Sequence, residues 1–105
     1  EQKDYAGAIE LFNQAIKLNP KFSYAYNNRG FAKMKIKDYK GARQDINKSL
    51  DLEGNNAYAF KNLALLYIEE GKEKQACQPL QKAIELGYST EYDDEVDVLL
   101  AKYCK

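Results

Sequence analysis

A chain of 105 residues with 16 Lys/Arg, 16 Asp/Glu and 45% apolar residues can bury one modest core and lies far from the composition of a disordered tail. Its apolar runs, such as residues 63–68, are far shorter than the roughly 20 residues that cross a bilayer. Arg29, Lys33, Lys35, Lys37 and Lys40 are interleaved with apolar residues instead of massed, which argues against nucleic acid as a partner, and the lack of histidine removes the commonest general base and metal ligand.

The chain opens on Glu1 with no cationic and apolar leader behind it, which reads as a cut N-terminus. Apolar residues at steps of three and four predict helices over 5–18, 23–36, 39–52, 57–70, 74–86 and 94–104. The first carries Ile9, Phe12 and Ile16 and stops at Asn19-Pro20; the second stops at Lys37-Asp38. The third carries Ala42, Ile46, Ser49 and Leu50 and ends at Glu53-Gly54-Asn55-Asn56, and the fourth carries Phe60, Leu63, Ala64 and Tyr67 and ends at Gly71-Lys72. Pro79 lies inside the fifth and has no N–H, so that helix is expected to bend or to start irregularly. The sixth carries Val96, Leu99, Leu100 and Tyr103 behind Asp93, Asp94 and Glu95, which suit a helix N-terminus.

These helices repeat. Lys3-Asp4-Tyr5-Ala6-Gly7-Ala8 returns 34 residues later as Lys37-Asp38-Tyr39-Lys40-Gly41-Ala42. The same offset takes Ile16 to Leu50 and Ile84, Ala8 to Ala42 and Ala76, Tyr24-Ala25 to Tyr58-Ala59, and Asn28 to Asn62. Each period holds two helices.

A 34-residue helical hairpin with Tyr26, Gly30, Tyr39, Ala42, Ile46, Ser49 and Leu50 in one copy, and Phe60, Leu63, Ala64, Tyr67, Ala76, Leu80 and Ala83 in the next, resembles the tetratricopeptide repeat. The resemblance implies an all-α fold, an α-α superhelix or solenoid of antiparallel helix pairs. It divides a single domain, 1–105, into the second half of a truncated repeat (1–22), two full repeats (23–56 and 57–90) and a C-terminal capping helix (91–105). Small residues at Gly30 and Ala64 would let paired helices approach closely. The helix over 5–18 would then lack its partner and expose Ile9, Phe12 and Ile16, a face to be covered by upstream residues or by a neighbouring molecule, including a second copy in a homodimer.

Two departures from the family pattern carry information. Arg29 replaces an apolar residue, and Asp45 lies almost symmetrically across the turn at Lys37-Asp38, so the two are expected to pair inside the hairpin. Leu63 and Pro79 hold those places in the next repeat, as a charged pair replaced together would require.

In this family the first helices of successive repeats line a concave groove that holds a peptide. Carried over, the resemblance implies a wall of Tyr24, Asn27, Asn28, Phe31 and Lys35, then Tyr58, Lys61, Asn62, Leu65 and Glu69. Asparagine amides can pair with a peptide backbone of any sequence, and tyrosines are enriched at interaction hot spots. Lys61, Asn28 and Asn62 resemble parts of the family's clamp for a C-terminal carboxylate, but Phe31 stands where that clamp has Asn, so recognition of chaperone tails is not expected. The expected function is a protein-interaction module, not an enzyme and without a cofactor, that binds a peptide or protein segment. The alternative is a structural scaffold that self-associates.

Three smaller features complete the reading. The acidic stretch Glu91 to Asp97 lacks the spacing and central glycine of a calcium loop and reads as a solvated helix start, so no metal is expected. Asn47-Lys48-Ser49 fits a glycosylation sequon but falls within a predicted helix. Cys77 and Cys104 lie about equally far from the turn between the last two helices, and two states stay open: a disulfide in an exported protein, or two reduced cysteines in a cytoplasmic one.

Overall fold

The computed structural model describes residues 4–88 and 94–104, which form six α-helices and one 3-10 turn. The chain divides into two compact units, Glu1–Gly54 and Asn55–Lys105. The first holds α1 (Tyr5–Leu18), α2 (Ser23–Lys35) and α3 (Tyr39–Leu52); the second holds α4 (Ala57–Glu69), a 3-10 turn (Glu73–Ala76), α5 (Cys77–Glu85) and α6 (Glu95–Tyr103). No helix of the described residues is long and apolar enough to cross a membrane.

The repeated Lys-Asp-Tyr-x-Gly-Ala motif is a helix start. Asp4 Oδ1 accepts from the Gly7 amide at 2.8 Å and Asp38 Oδ1 from the Gly41 amide at 3.0 Å, which satisfies donors that the first turn leaves without partners. A Cβ on either glycine would fall on the capping carboxylate, so cap and glycine recur together. Asn56 caps α4 in the same way, accepting from the amides of Tyr58 and Ala59 at 3.1 and 3.3 Å.

The turn from α2 to α3 closes with Lys37 N–H on Met34 O at 2.9 Å and Asp38 N–H on Lys33 O at 2.8 Å, the pairing of a Schellman cap, which requires a left-handed residue just past the C-cap. That residue is Lys37, at φ 69°; one period later the same place is Gly71, at φ 78°. A side chain in this region costs about 1 kcal/mol. Lys37→Gly is therefore expected to raise the stability of the first unit by about 1 kcal/mol, read from the midpoint of urea unfolding at α2 and α3 amides; a fall in stability would contradict this account of the turn.

Within the first unit, Ser23, Asn27, Gly30 and Met34 form one buried stripe of α2, and Ala42, Asp45, Ile46 and Ser49 a buried stripe of α3. Gly30 sets the spacing: a Cβ there would lie 3.0 Å from Ile46 Cγ1 and 3.1 Å from the Ala42 carbonyl. The two hydroxyls of this interface satisfy each other. Ser49 Oγ donates to Ser23 O at 2.9 Å, and Ser23 Oγ lies 2.8 Å from Ser49 Oγ. Ser49 is thus fully buried and spent on packing, although it belongs to the sequon.

α1 packs on α2 and buries no residue completely. The expectation that Ile9, Phe12 and Ile16 would be bare needs correcting. All three are half-buried, and the side chains that stand out are Leu11, 66% exposed, and Leu18, 88% exposed. Leu11 and Leu18 are seven residues apart and so lie on one open face of α1.

The second unit has its core at Ala64, Ala76, Leu80, Ala83, Tyr88 and Val96. Pro79 is the third residue of α5, where its missing N–H would have had no intrahelical acceptor. The helix expected over 74–86 accordingly divides into the 3-10 turn and the shorter α5. α6 supplies Val96 to the core, and Cys104 beyond its end is joined to Cys77 by a disulfide with Cα atoms 5.6 Å apart.

Candidate functional site

The residues expected to face a partner do not share one environment. On α2, Tyr24 is 43% exposed, and Asn28 and Lys35 are exposed. Phe31 is half-buried, its ring edge-on to Tyr5 with centroids 6.5 Å apart and the Lys35 ammonium 5.3 Å above it. Asn27 is 1% exposed, because its place on the Ser23–Gly30–Met34 stripe turns it towards the interior.

On α4, Tyr58 is 56% exposed and Glu69 is exposed, whereas Leu65 and Lys61 are half-buried. Asn62 is buried on the stripe of Ala59 and Leu66, so the amides of Asn28 and Asn62 are equivalent in the repeat but not in exposure. Two aromatic residues outside the expected set join the exposed tyrosines. Phe22 lies edge-on to Tyr24 with centroids 6.3 Å apart, and Tyr88 lies edge-on to Tyr58 at 5.3 Å. Phe22 was legible as an aromatic just ahead of a helix; Tyr88, just past Gly87, has no local signal that aims it at α4.

Lys61 is engaged within the second unit. Its Nζ donates to Glu95 Oε1 at 2.6 Å and sits 5.4 Å above the Tyr88 ring. Burial disfavours its charged form, but hydrogen bonds and charge from Glu95 and Tyr88 outweigh burial, and the pKa is raised above the ordinary lysine value. The sign follows from linkage: a raised folded pKa contributes stability that is complete below the unfolded value and lost as pH rises through the folded one. The Lys61 contribution is therefore present at neutral pH and disappears only in strongly alkaline solution.

Arg29 and Asp45 form a two-pronged pair, Nε to Oδ2 at 2.8 Å and Nη2 to Oδ1 at 2.7 Å, with Asp45 4% exposed. Lys33 Nζ adds a second cation 3.1 Å from Oδ2, and Arg29 Nη1 donates to Asn13 Oδ1 on α1 at 2.9 Å. The hydrogen bond to Asp45 raises the Arg29 pKa against the opposing effect of burial. These contacts tie all three helices of the first unit together and engage each of the three guanidinium nitrogens.

Leu63 and Pro79, at the places of Arg29 and Asp45 one period on, instead line an open depression of about 500 Å³ in the second unit, together with Phe60 and Tyr67 and a rim that includes Lys74 and Lys82. Asp94 precedes α6 without making a capping hydrogen bond, and the part of the acidic stretch at 91–93 lies outside the described residues.

Comparisons with known proteins agree with this architecture. A family model described as "TPR repeat" matches residues 1–37, and one described as "Tetratricopeptide repeat" matches residues 23–56 and 57–86. A solved structure titled "MamA RS-1 ArsTM double mutant" is similar to this chain at a TM-score of 0.70 and 25% identity; the similarity covers 94% of this chain and 56% of that one, so this chain spans little more than half of its length. A search of curated proteins finds no match. The fold is all-α and of the tetratricopeptide class. With the matched repeats starting at the first residues of α2 and α4, where the 34-residue period also places them, the chain belongs to the tetratricopeptide repeat family.

Proposed function

We propose that this chain is a protein-interaction module, without catalytic chemistry of its own, that contacts extended or helical partner segments through exposed residues of α2 in the first unit and of α4 in the second. Tetratricopeptide repeats generally mediate protein–protein interaction or scaffolding and are generally non-catalytic. The observation that carries the finer reading is the recurrence of an exposed tyrosine one period apart: Tyr24 and Tyr58 leave 43% and 56% of their surface in water. Each belongs to the first helix of its repeat and rests edge-on against a second ring. Large aromatic surfaces of this kind are enriched at interaction hot spots, where truncation costs about 2 kcal/mol or more. Asn28 adds an exposed amide on α2, whereas Asn27 and Asn62 are buried and contribute to packing.

Tyr24→Ala and Tyr58→Ala are each expected to weaken capture of the native partner about 30-fold with helicity unchanged, measured by pull-down and titration. Unchanged affinity in both variants would remove the reading. A self-associating scaffold is favoured instead by one observation, the exposure of Leu11 and Leu18 on α1. Light scattering separates the two readings, because a dimer that dissociates on Leu11→Gln and Leu18→Gln would assign the open face of α1 to a second copy.

A further inference from the structure

α6 is held in place from both ends. It has nine residues, fewer than the roughly 12 to 15 at which an isolated helix becomes even marginally stable in water, so it persists by attachment. At its first turn, Glu95 accepts from Lys61 and Val96 is fully buried in the core of the second unit. Further along, Leu99 and Leu100 are only partly buried and Val98 is 53% exposed. The far end is fixed by the disulfide between Cys104 and Cys77 at the start of α5. Both cysteines are half-buried at the rim of the unit and not sealed inside it, so the bond stands where a thiol can reach it.

We propose that the Cys77–Cys104 bond is a redox latch: oxidised, it holds α6 over Lys61 and the Val96 seat; reduced, it lets α6 leave both and frees them for a partner. The second half of the proposal rests on the reading of α4 as a binding strip, whereas the release of α6 does not. The reductant is a dithiol. One of its thiolates attacks a sulfur of the bridge, the Sγ–Sγ bond breaks, and the departing cysteine thiolate takes up a proton. The second thiol of the reductant then attacks the mixed disulfide and releases the other cysteine as a thiolate that is protonated in turn, so two electrons and two protons reach the protein and the reductant ends as a disulfide.

The partner chemistry follows from what α6 now supplies. An occupant must present a carboxylate to Lys61 and, on the adjoining residue of the same helical turn, a β-branched or similarly compact apolar side chain for the place of Val96 among Ala64, Ala76, Leu80, Ala83 and Tyr88. An acidic, apolar helical segment meets both demands, and α6 acts as its resident competitor.

The test uses the full chain with and without a dithiol, and with Cys77→Ser and Cys104→Ser combined. Hydrogen exchange of α6 amides is expected to accelerate by about ten-fold or more on reduction, and equally in the double variant, while α2 and α3 amides keep their protection. A labelled peptide with the sequence of residues 94–103 is the binding probe, expected to bind the reduced chain and not the oxidised one. Unchanged α6 exchange in both the reduced chain and the double variant would overturn the latch, as would acceleration spread evenly over the whole second unit, which would make the bond a general staple. A bridge that a dithiol leaves intact would overturn the switch even if the double variant opens. Accelerated α6 exchange without peptide binding would leave the latch standing and refute the occupant, whereas the reading of α4 itself falls only if Tyr58→Ala leaves partner affinity unchanged.

Discussion

Asp45→Ala is expected to destabilise the first unit by about 3 kcal/mol, because it removes the shared counter-ion of two cations while leaving both in place. Asp45 is 4% exposed and receives Arg29 through two hydrogen bonds and Lys33 through a third contact at 3.1 Å. The Arg29 side chain is 19% exposed, which lets it recover part of its hydration and sets the cost at the lower end for a broken buried pair. Arg29→Leu alone should cost less, since Lys33 stays with the carboxylate. The double variant Arg29→Leu, Asp45→Val should return to within about 1 kcal/mol of the parent, because replacing both members of a buried ion pair with apolar groups is often neutral or better. Urea unfolding followed at α2 and α3 amides measures all three. A double variant as unstable as Asp45→Ala would show that the pair contributes more than charge balance.

The second unit already makes an equivalent replacement. Arg29 and Asp45 become Leu63 and Pro79 one period later, and Ser23 and Ser49, whose hydroxyls pair in the first interface, become Ala57 and Ala83. Both polar couples change as couples, as expected if an unpaired buried polar group costs more than the pair is worth. This also explains why so much of the fold was legible. The period of 34, the capped starts at Asp4 and Asp38 and the small residue at Gly30 are each local, and residues placed symmetrically about a short turn, such as Arg29 and Asp45, must lie at the same height in a hairpin.

The candidate site was less legible, because exposure is not periodic even where sequence is. Asn28 and Asn62 share a place in the repeat, yet one is exposed and the other lies buried with Ala59 and Leu66. Asn27 could have been set apart from the sequence alone, since steps of four, three and four put it on one stripe with Ser23, Gly30 and Met34. The Lys61–Glu95 pair could not, because it depends on how α6 lies across the second unit, and α6 falls outside the strict period.

Gly30→Val is expected to cost about 3 kcal/mol, whereas Gly30→Ala should come out close to neutral, and the contrast between them tests what sets the spacing of α2 and α3. An alanine gains about 1 kcal/mol in helix propensity over glycine. Against this, its Cβ meets Ile46 Cγ1 at 3.0 Å, the Ala42 carbonyl at 3.1 Å and Asp45 Cβ at 3.2 Å, contacts that the neighbours can relieve by a few tenths of an ångström. Ala64 holds the same place in α4 and is completely buried there, so a methyl group is compatible with this kind of hairpin. Valine adds two more carbons branching from that Cβ. Ile46 is fully buried and cannot move aside, and a backbone carbonyl cannot change rotamer, so the helices must separate. Separation stretches the Ser23–Ser49 hydroxyl contact and the Arg29–Asp45 pair, both of which span the same interface. The loss should therefore exceed what overpacking alone imposes, and it should be accompanied by faster exchange at the amides around Ser49. A valine variant as stable as the alanine one would mean that the interface is loose enough to absorb a branched side chain, and the close approach at Gly30 would then not fix the hairpin.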